Sequence, residues 1–304
     1  MTGARLRVTV VVNPAARGGT AGRAAVRAIG RLRERGADVA VDGGRDFADT
    51  RRALTAAPAQ RPDAVVVIGG DGTMRLAVAA LHSTGIPIAL VPVGTGNDFA
   101  TSVKIPRDPV AAADLVFDGR LTQIDVGRVR RADGSPELFA TILASGFDSK
   151  VNERANRMRW PQGRARYNVA IAIEFALLKP IAYRLSWVDA TGTPGQYEGP
   201  LLLTAVANTT TYGGGVLIAP EADHTDGLLD LTFVRPASRL RLVSVLARAF
   251  RGTHTRDRAV VTHRVRGVRI DADGLTGYAD GDPLGPLPLT IDVLPRALAL
   301  RVPA

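Results

Sequence analysis

The sequence predicts an α/β N-terminal domain with a parallel sheet, followed by a C-terminal antiparallel β-sandwich domain with helical inserts. Three observations carry that expectation. Up to about residue 122, continuous apolar runs alternate with amphipathic helical stripes. This is the pattern of strands buried on both faces and joined by right-handed crossovers. Glycine-rich turns close two neighbouring runs. Beyond Thr122, short strand-like runs separated by turn clusters take over.

In chain order, residues 6–12 form a β-branched run that ends in Asn13-Pro14, a strand and a turn. Residues 20–35 place Ala25, Val26, Ile29 and Leu32 on one helical stripe, with arginines opposite. A short strand at 39–41 and a helix at 47–56 follow. The run 64–68 is again a buried strand, closed by a glycine turn and continued by a helix from about Thr73 to Leu81. Residues 87–91 repeat the pattern. In the second half, runs at 138–143, 182–188, 201–206, 228–234 and 267–270 are separated by turn clusters at 133–136, 191–195 and 272–275. Helical inserts stand at 149–178 and 238–251, and the strand-like end, 288–302, is broken by Pro295.

At roughly 150 residues per domain, 304 residues suggest about two domains. Apolar residues make up 46% and charged ones 22%, which fits a chain with a core and excludes a disordered or collagen-like one. There is no cysteine, so disulfides, thiolate metal sites and thiol catalysis are excluded together. Basic residues outnumber acidic ones by 39 to 29, a net charge of +10, yet only Lys104, Lys150 and Lys179 are lysines. No Gly-Lys pair exists, which excludes a phosphate loop of the Walker type. No apolar run approaches the ~20 residues of a membrane span, and the opening residues carry no signal-peptide stretch. The expectation is a cytoplasmic protein. No nucleic-acid recognition motif accompanies the positive charge, so no nucleic-acid partner is expected.

The strongest local signal is Gly69-Gly70-Asp71-Gly72-Thr73 after the strand at 64–68. Such glycines let backbone N–H groups approach a phosphate, and the helix that follows adds the positive end of its dipole. An ordinary strand-to-helix turn with Thr73 as N-cap reads the same residues equally well. The second signal, Gly94-Thr95-Gly96-Asn97-Asp98-Phe99-Ala100, closes the next strand, and two such turns side by side favour a phosphate cradle. Taken alone, Asp71 and Asp98 are also good turn formers, and Asp125 is a plausible strand end.

These two motifs together resemble the diacylglycerol kinase catalytic domain, which sphingosine and ceramide kinases share. Asn13-Pro14 followed by Gly18-Gly19 is similar to that family's opening motif. Ile124-Asp125-Val126-Gly127, Ala144–Phe147, Tyr212–Gly215, Pro220–Asp230 and Asp280–Pro283 fall in the family's order, across nearly the whole chain. The resemblance is nearest to the soluble bacterial lipid kinases. It implies a fold like NAD kinase and diacylglycerol kinase, with a nucleotide-binding domain at 1–124 and a β-rich lipid-substrate domain at 125–292. A segment at about 293–304 would pack back onto the first domain.

The resemblance further implies ATP bound by Asn13, residues 69–73, Gly94, Thr95, Asn97 and Asp98. Asp71, Asp98 and Asp125 would hold Mg²⁺ directly or through water. The family's proton acceptor is the last acid of an Asp-Gly-Glu triplet; the matching residue is Asp282, one methylene shorter, with Asp280 two residues before it. On an extended segment both acids would point the same way. A second, structural Mg²⁺ would take the Asp226 side chain with backbone oxygens of Asp223 and Leu228. The basic stretch 150–166 with Trp160 suits an anionic lipid surface, so the expected partner is a lipid substrate met peripherally at the inner membrane face. A homodimer is left open. The expected function is ATP-dependent phosphorylation of a hydroxyl on a diacylglycerol-like lipid. The alternatives are an NAD kinase-like enzyme with a soluble acceptor, and a catalytically weak lipid-binding regulator.

Overall fold

The structure is a computed structural model that describes residues 5–13, 20–43, 46–131, 136–161 and 164–304. Pro14, Gly18, Gly19 and most of the turn at 133–136 lie outside the described residues. The chain divides into two compact units: Met1–Val126 with Thr211–Gly215 and Leu294–Ala304, and Gly127–Thr210 with Val216–Val293. The first unit contains β1 (Arg7–Val12), α1 (Thr20–Glu34), β2 (Asp38–Gly43), α2 (Phe47–Ala56), β3 (Ala64–Gly69), α3 (Asp71–Leu81), β4 (Ile88–Pro92), α4 (Asp98–Ser102) and α5 (Pro109–Asp118). β5 (Arg120–Arg130) leads into the second, through β6 (Pro136–Phe139), β7 (Ile142–Gly146), α6 (Phe147–Arg157) and α7 (Arg164–Ala176). There follow β8 (Ile181–Asp189), β9 (Pro194–Leu201), β10 (Leu203–Ala207), β11 (Leu229–Val234), α8 (Arg239–Ala249), β12 (Val260–Asp271), β13 (Thr276–Ala279) and β14 (Asp282–Pro286). β15 (Leu289–Val302) starts in the second unit and ends in the first.

In the first unit, β1 lies between β2 and β3, and β4 lies between β3 and the end of β15, all parallel. β3 and β4 are buried at every residue, which is why they read as unbroken apolar runs. Helix α1 packs on α5, and α2 on α3. The stripe of α1 is formed by Ala21, Ala25, Ala28 and Leu32, whereas Val26, expected among them, is 74% exposed. Small alanines let the helix lie close to the strands, and Val26 falls on the flank of that narrow contact. Helix α5 was not foreseen, although Asp108 caps it through Val110 and Ala111 N–H and Pro109 takes the first turn.

The second unit is antiparallel. β10 pairs with β7 and β11, β11 with β12, and the far half of β12 with both β8 and the start of β15. Phe139, Leu143, Tyr183, Phe233, Val268 and Ile291 sit in its core. The insert at 149–178 is two helices, α6 and α7, joined through Val151, Ala155 and Ala170. Two sequence expectations give way here. The run 138–143 is two strands, because the amides of Ala140 and Thr141 turn away to bind Asp280. Pro295 does not break the last strand: Arg296 adopts φ 52°, and its N–H reaches the Asp125 carboxylate at 2.7 Å.

Candidate active site

In the first unit, the ends of β1, β3 and β4 bring the glycine turns together. Asn13, just after β1, donates its backbone N–H to Ile68 O and its side-chain amide to Thr73 Oγ1 at 3.0 Å. Thr73 is therefore not the N-cap; Gly70 holds that place, and its carbonyl accepts from Thr73 and Met74. The two turns touch backbone to backbone. A Cβ on Gly70 would stand 2.9 Å from Gly94 Cα, and one on Gly94 would stand 2.7 Å from Gly70 Cα. No side chain fits at either position.

Asp71 ties the first turn to the second. Its Oδ2 accepts Asn97 N–H at 2.8 Å and its Oδ1 accepts Phe99 N–H at 3.1 Å. Asn97, at φ 60°, closes the second turn by accepting from Gly94 N–H and donating to Gly94 O. Asp98 accepts N–H groups of Gly214 and Gly215, and Thr211 reaches both Asp98 O and Ser102. Sequence reading gave 211–215 no role here; the three consecutive glycines at 213–215, all at positive φ, were the signal.

Among the described residues no group of three or more His, Cys, Asp or Glu side chains forms a metal cluster. Of the three expected Mg²⁺ ligands, Asp71 and Asp98 converge over Gly96, where a Cβ would lie 3.0 Å and 3.4 Å from their Oδ2 atoms. Asp125 does not join them as a cluster. It is fully buried, and its Oδ1 holds Arg296 N–H. The expected second metal loop is held by contacts of its own. Asp226 is ion-paired with Arg264 and accepts Leu228 N–H, while Asp223 accepts the amide and hydroxyl of Thr225. The Arg264 guanidinium supplies positive charge at Asp226.

In the second unit, Asp280 and Asp282 are not on an extended segment. Ala279 pairs with Asp282 across a two-residue turn, with Asp280 at φ 51° and Gly281 at φ 88°. Asp-Gly with both angles positive is the tight hairpin turn of type I′. The Asp280 carboxylate is held by Ala140 and Thr141 N–H at 3.0 Å each and by the Thr141 hydroxyl. Asp282 opens β14 and is half-buried. Beside the hairpin, burial raises the Tyr278 pKa above its usual value. In the basic stretch, Trp160 is 83% exposed, but Arg154 is paired with Glu174 at 2.5 Å.

A parallel nucleotide-type sheet with interlocked glycine turns, followed by an antiparallel β unit with an Asp-Gly-Asp hairpin, defines a class. The family model described as the diacylglycerol kinase catalytic domain matches residues 7–129, and that of the YegS C-terminal NAD kinase beta sandwich-like domain matches 141–302. The chain belongs to this lipid kinase family: it is an ATP-using phosphotransferase with a lipid substrate. It is 44% identical over 298 residues to a diacylglycerol kinase of Mycobacterium tuberculosis H37Rv, covering 98% of this chain and 95% of the relative. It is 32% identical to a relative in Pectobacterium atrosepticum that carries the name of a YegS-like lipid kinase, covering 91% and 90%. A crystal structure of a diacylglycerol kinase from Bacillus anthracis Sterne shares the fold, with a TM-score of 0.72 at 17% identity over 99% of this chain and 98% of that one. No helix among the described residues is long and apolar enough to cross a membrane.

Proposed function

We propose that the chain transfers the γ-phosphate of ATP to a hydroxyl of a diacylglycerol-like lipid, met peripherally at the inner membrane face. The observation that carries this reading is the pair of glycine turns packed backbone to backbone and tied by Asp71. With no Walker lysine, backbone N–H groups of residues 70–72 and Thr95 are the phosphate holders, while Asn13, Asn97 and the N–H groups of Thr73 and Gly94 fix the turns. The first unit is the nucleotide domain and the second the lipid domain. The relatives named as diacylglycerol and lipid kinases support the acceptor class.

The Asp71 and Asp98 carboxylates suit Mg²⁺. The two Asp71 oxygens accept one N–H each and retain a lone pair, and Mg²⁺ is usually held by one or two carboxylates with waters and phosphate oxygens. Bound there, the ion would offset charge on the transferring phosphoryl group. Asp282 takes the proton of the acceptor hydroxyl. Asp280, with its carboxylate fixed by the 140–141 amides, sets the hairpin that aims Asp282. Purified chain with radiolabelled ATP, Mg²⁺, extracted membrane lipids and NAD decides the reading. Label is expected in a lipid; label in NADP, or in nothing, overturns it.

A further inference from the structure

Helix α8 carries apolar side chains on two opposite sides. Leu242, Val245 and Ala249 are buried, as the inner face of a packed helix should be. Leu240, Val243 and Phe250 point outward at 86%, 53% and 57% exposure. With the exposed Ala247 between them, these positions are spaced by three and four residues and form one stripe. The end of α7 lies beside the start of α8. Arg239 donates its guanidinium to the carbonyls of Phe175 and Ala176, at 2.7 and 3.0 Å, so the start of α8 is fastened to the end of α7. There Leu177 is 58% exposed. Of the acids near this face, Glu174 is buried and paired with Arg154.

Charge identifies the partner. Residues 235–258 hold seven arginines against one acid, Asp257. Asp257 takes Arg241 and Arg248, which leaves the surroundings of the stripe strongly positive. A second copy of the chain would bring like charges together across a two-fold contact. A nucleic acid would make no use of Leu240, Val243 and Phe250. An anionic bilayer surface uses both features: apolar side chains enter the headgroup boundary while arginines meet the phosphates.

We propose that the α7–α8 face docks on an anionic lipid bilayer, with Leu240 and Val243 of α8 and Phe250 at its C-cap as the inserting side chains. The choice of a bilayer rests on the lipid-kinase reading; the stripe and its charge do not. The test uses the full chain and sedimentation with phosphatidylcholine vesicles, with and without phosphatidylglycerol. Wild type is expected to bind the anionic vesicles. The variant Leu240→Gln/Val243→Gln/Phe250→Gln should bind about tenfold or more weakly, with phosphorylation of detergent-dispersed diacylglycerol unchanged and phosphorylation of vesicle-embedded diacylglycerol reduced. Because the chain has no cysteine, Val243→Cys can also be labelled at one place with an environment-sensitive dye. Its emission should shift to the blue with anionic vesicles, an outcome that does not depend on the triple variant folding. Unchanged vesicle binding by a folded triple variant, or no dye shift, overturns the proposal. Loss of a wild-type dimer in the variant, without any vesicle binding, overturns it in favour of a self-interface. Vesicle binding that needs the stripe in a protein phosphorylating no lipid in either assay supports docking and overturns the kinase reading instead.

Discussion

Asp71 and Asp282 are both single carboxylates in proposed catalytic roles, yet their surroundings assign them different consequences. Asp71 accepts two backbone N–H groups of the neighbouring turn, so Asp71→Ala leaves both without that acceptor. Unsatisfied buried donors cost about 1–3 kcal/mol. The variant should therefore lose ATP affinity and turnover and also show a lower urea midpoint; a folded variant with wild-type midpoint and ATP affinity would show that the turn does not need it. Asp282 stands at the start of β14 and is only half-buried. Asp282→Asn should leave melting and ATP binding intact while kcat falls by about 10²–10⁴-fold, the usual size of general-base assistance. Asp282→Glu restores reach and should keep or raise kcat. If Asn is harmless and Glu inert, Asp282 is a turn residue.

Elements that depend on their own residues were legible in the chain. Helix α2 spans 47–56, as its pattern indicates, because Asp46 caps it locally. Elements that answer to distant residues were not. Thr73 looks like an N-cap but meets Asn13, 60 residues away. Asp98 and Gly214 are 116 residues apart, and the Asp98 carboxylate meets a backbone N–H that leaves no side-chain signal. The hairpin at 280–281 was within reach, since Asp-Gly is a strong turn pair; reading it as extended overlooked local chemistry in favour of strand alternation. Helix α8 also depends on a distant group. The Asp257 carboxylate accepts Ala259 N–H and binds Arg241 and Arg248 at 2.7 and 2.5 Å. These bonds, the Ala259 amide foremost, hold its pKa down to about 2. A depressed pKa in the folded state means the stabilisation is present above about pH 4 and is lost as pH falls toward 2. Asp257→Ala should lower the urea midpoint at pH 7, with the gap to wild type closing over that acid range. A gap that is absent at neutral pH would remove the clamp from the account.

At the scale of the whole molecule, the first unit is assembled from three separate stretches of chain, and the last is small: Leu294–Ala304. Its contribution is nevertheless structural. Leu298, Leu300 and Val302 are at most 3% exposed, and Leu300 pairs with Ile88 at the edge of the parallel sheet. Ser83 N–H donates to Ala297 O at 2.7 Å, and Arg301 donates to Gly119 O at 2.9 Å, so loops on the first 126 residues are held by the end of the chain. Removing it uncovers β4, a strand buried at every position. An uncovered apolar edge strand is unpaired and prone to associate. Residues 1–293 should therefore aggregate or melt well below the full chain, and ATP affinity should fall although no proposed phosphate-holding residue is deleted. Leu300→Ala, a milder change, should cost about 2–5 kcal/mol through lost burial and the cavity left behind. A fragment 1–126 should melt without cooperativity, and addition of a peptide of residues 294–304 should restore a cooperative transition. A fragment that melts cooperatively without the peptide would show that the first unit folds independently of the chain's last strand.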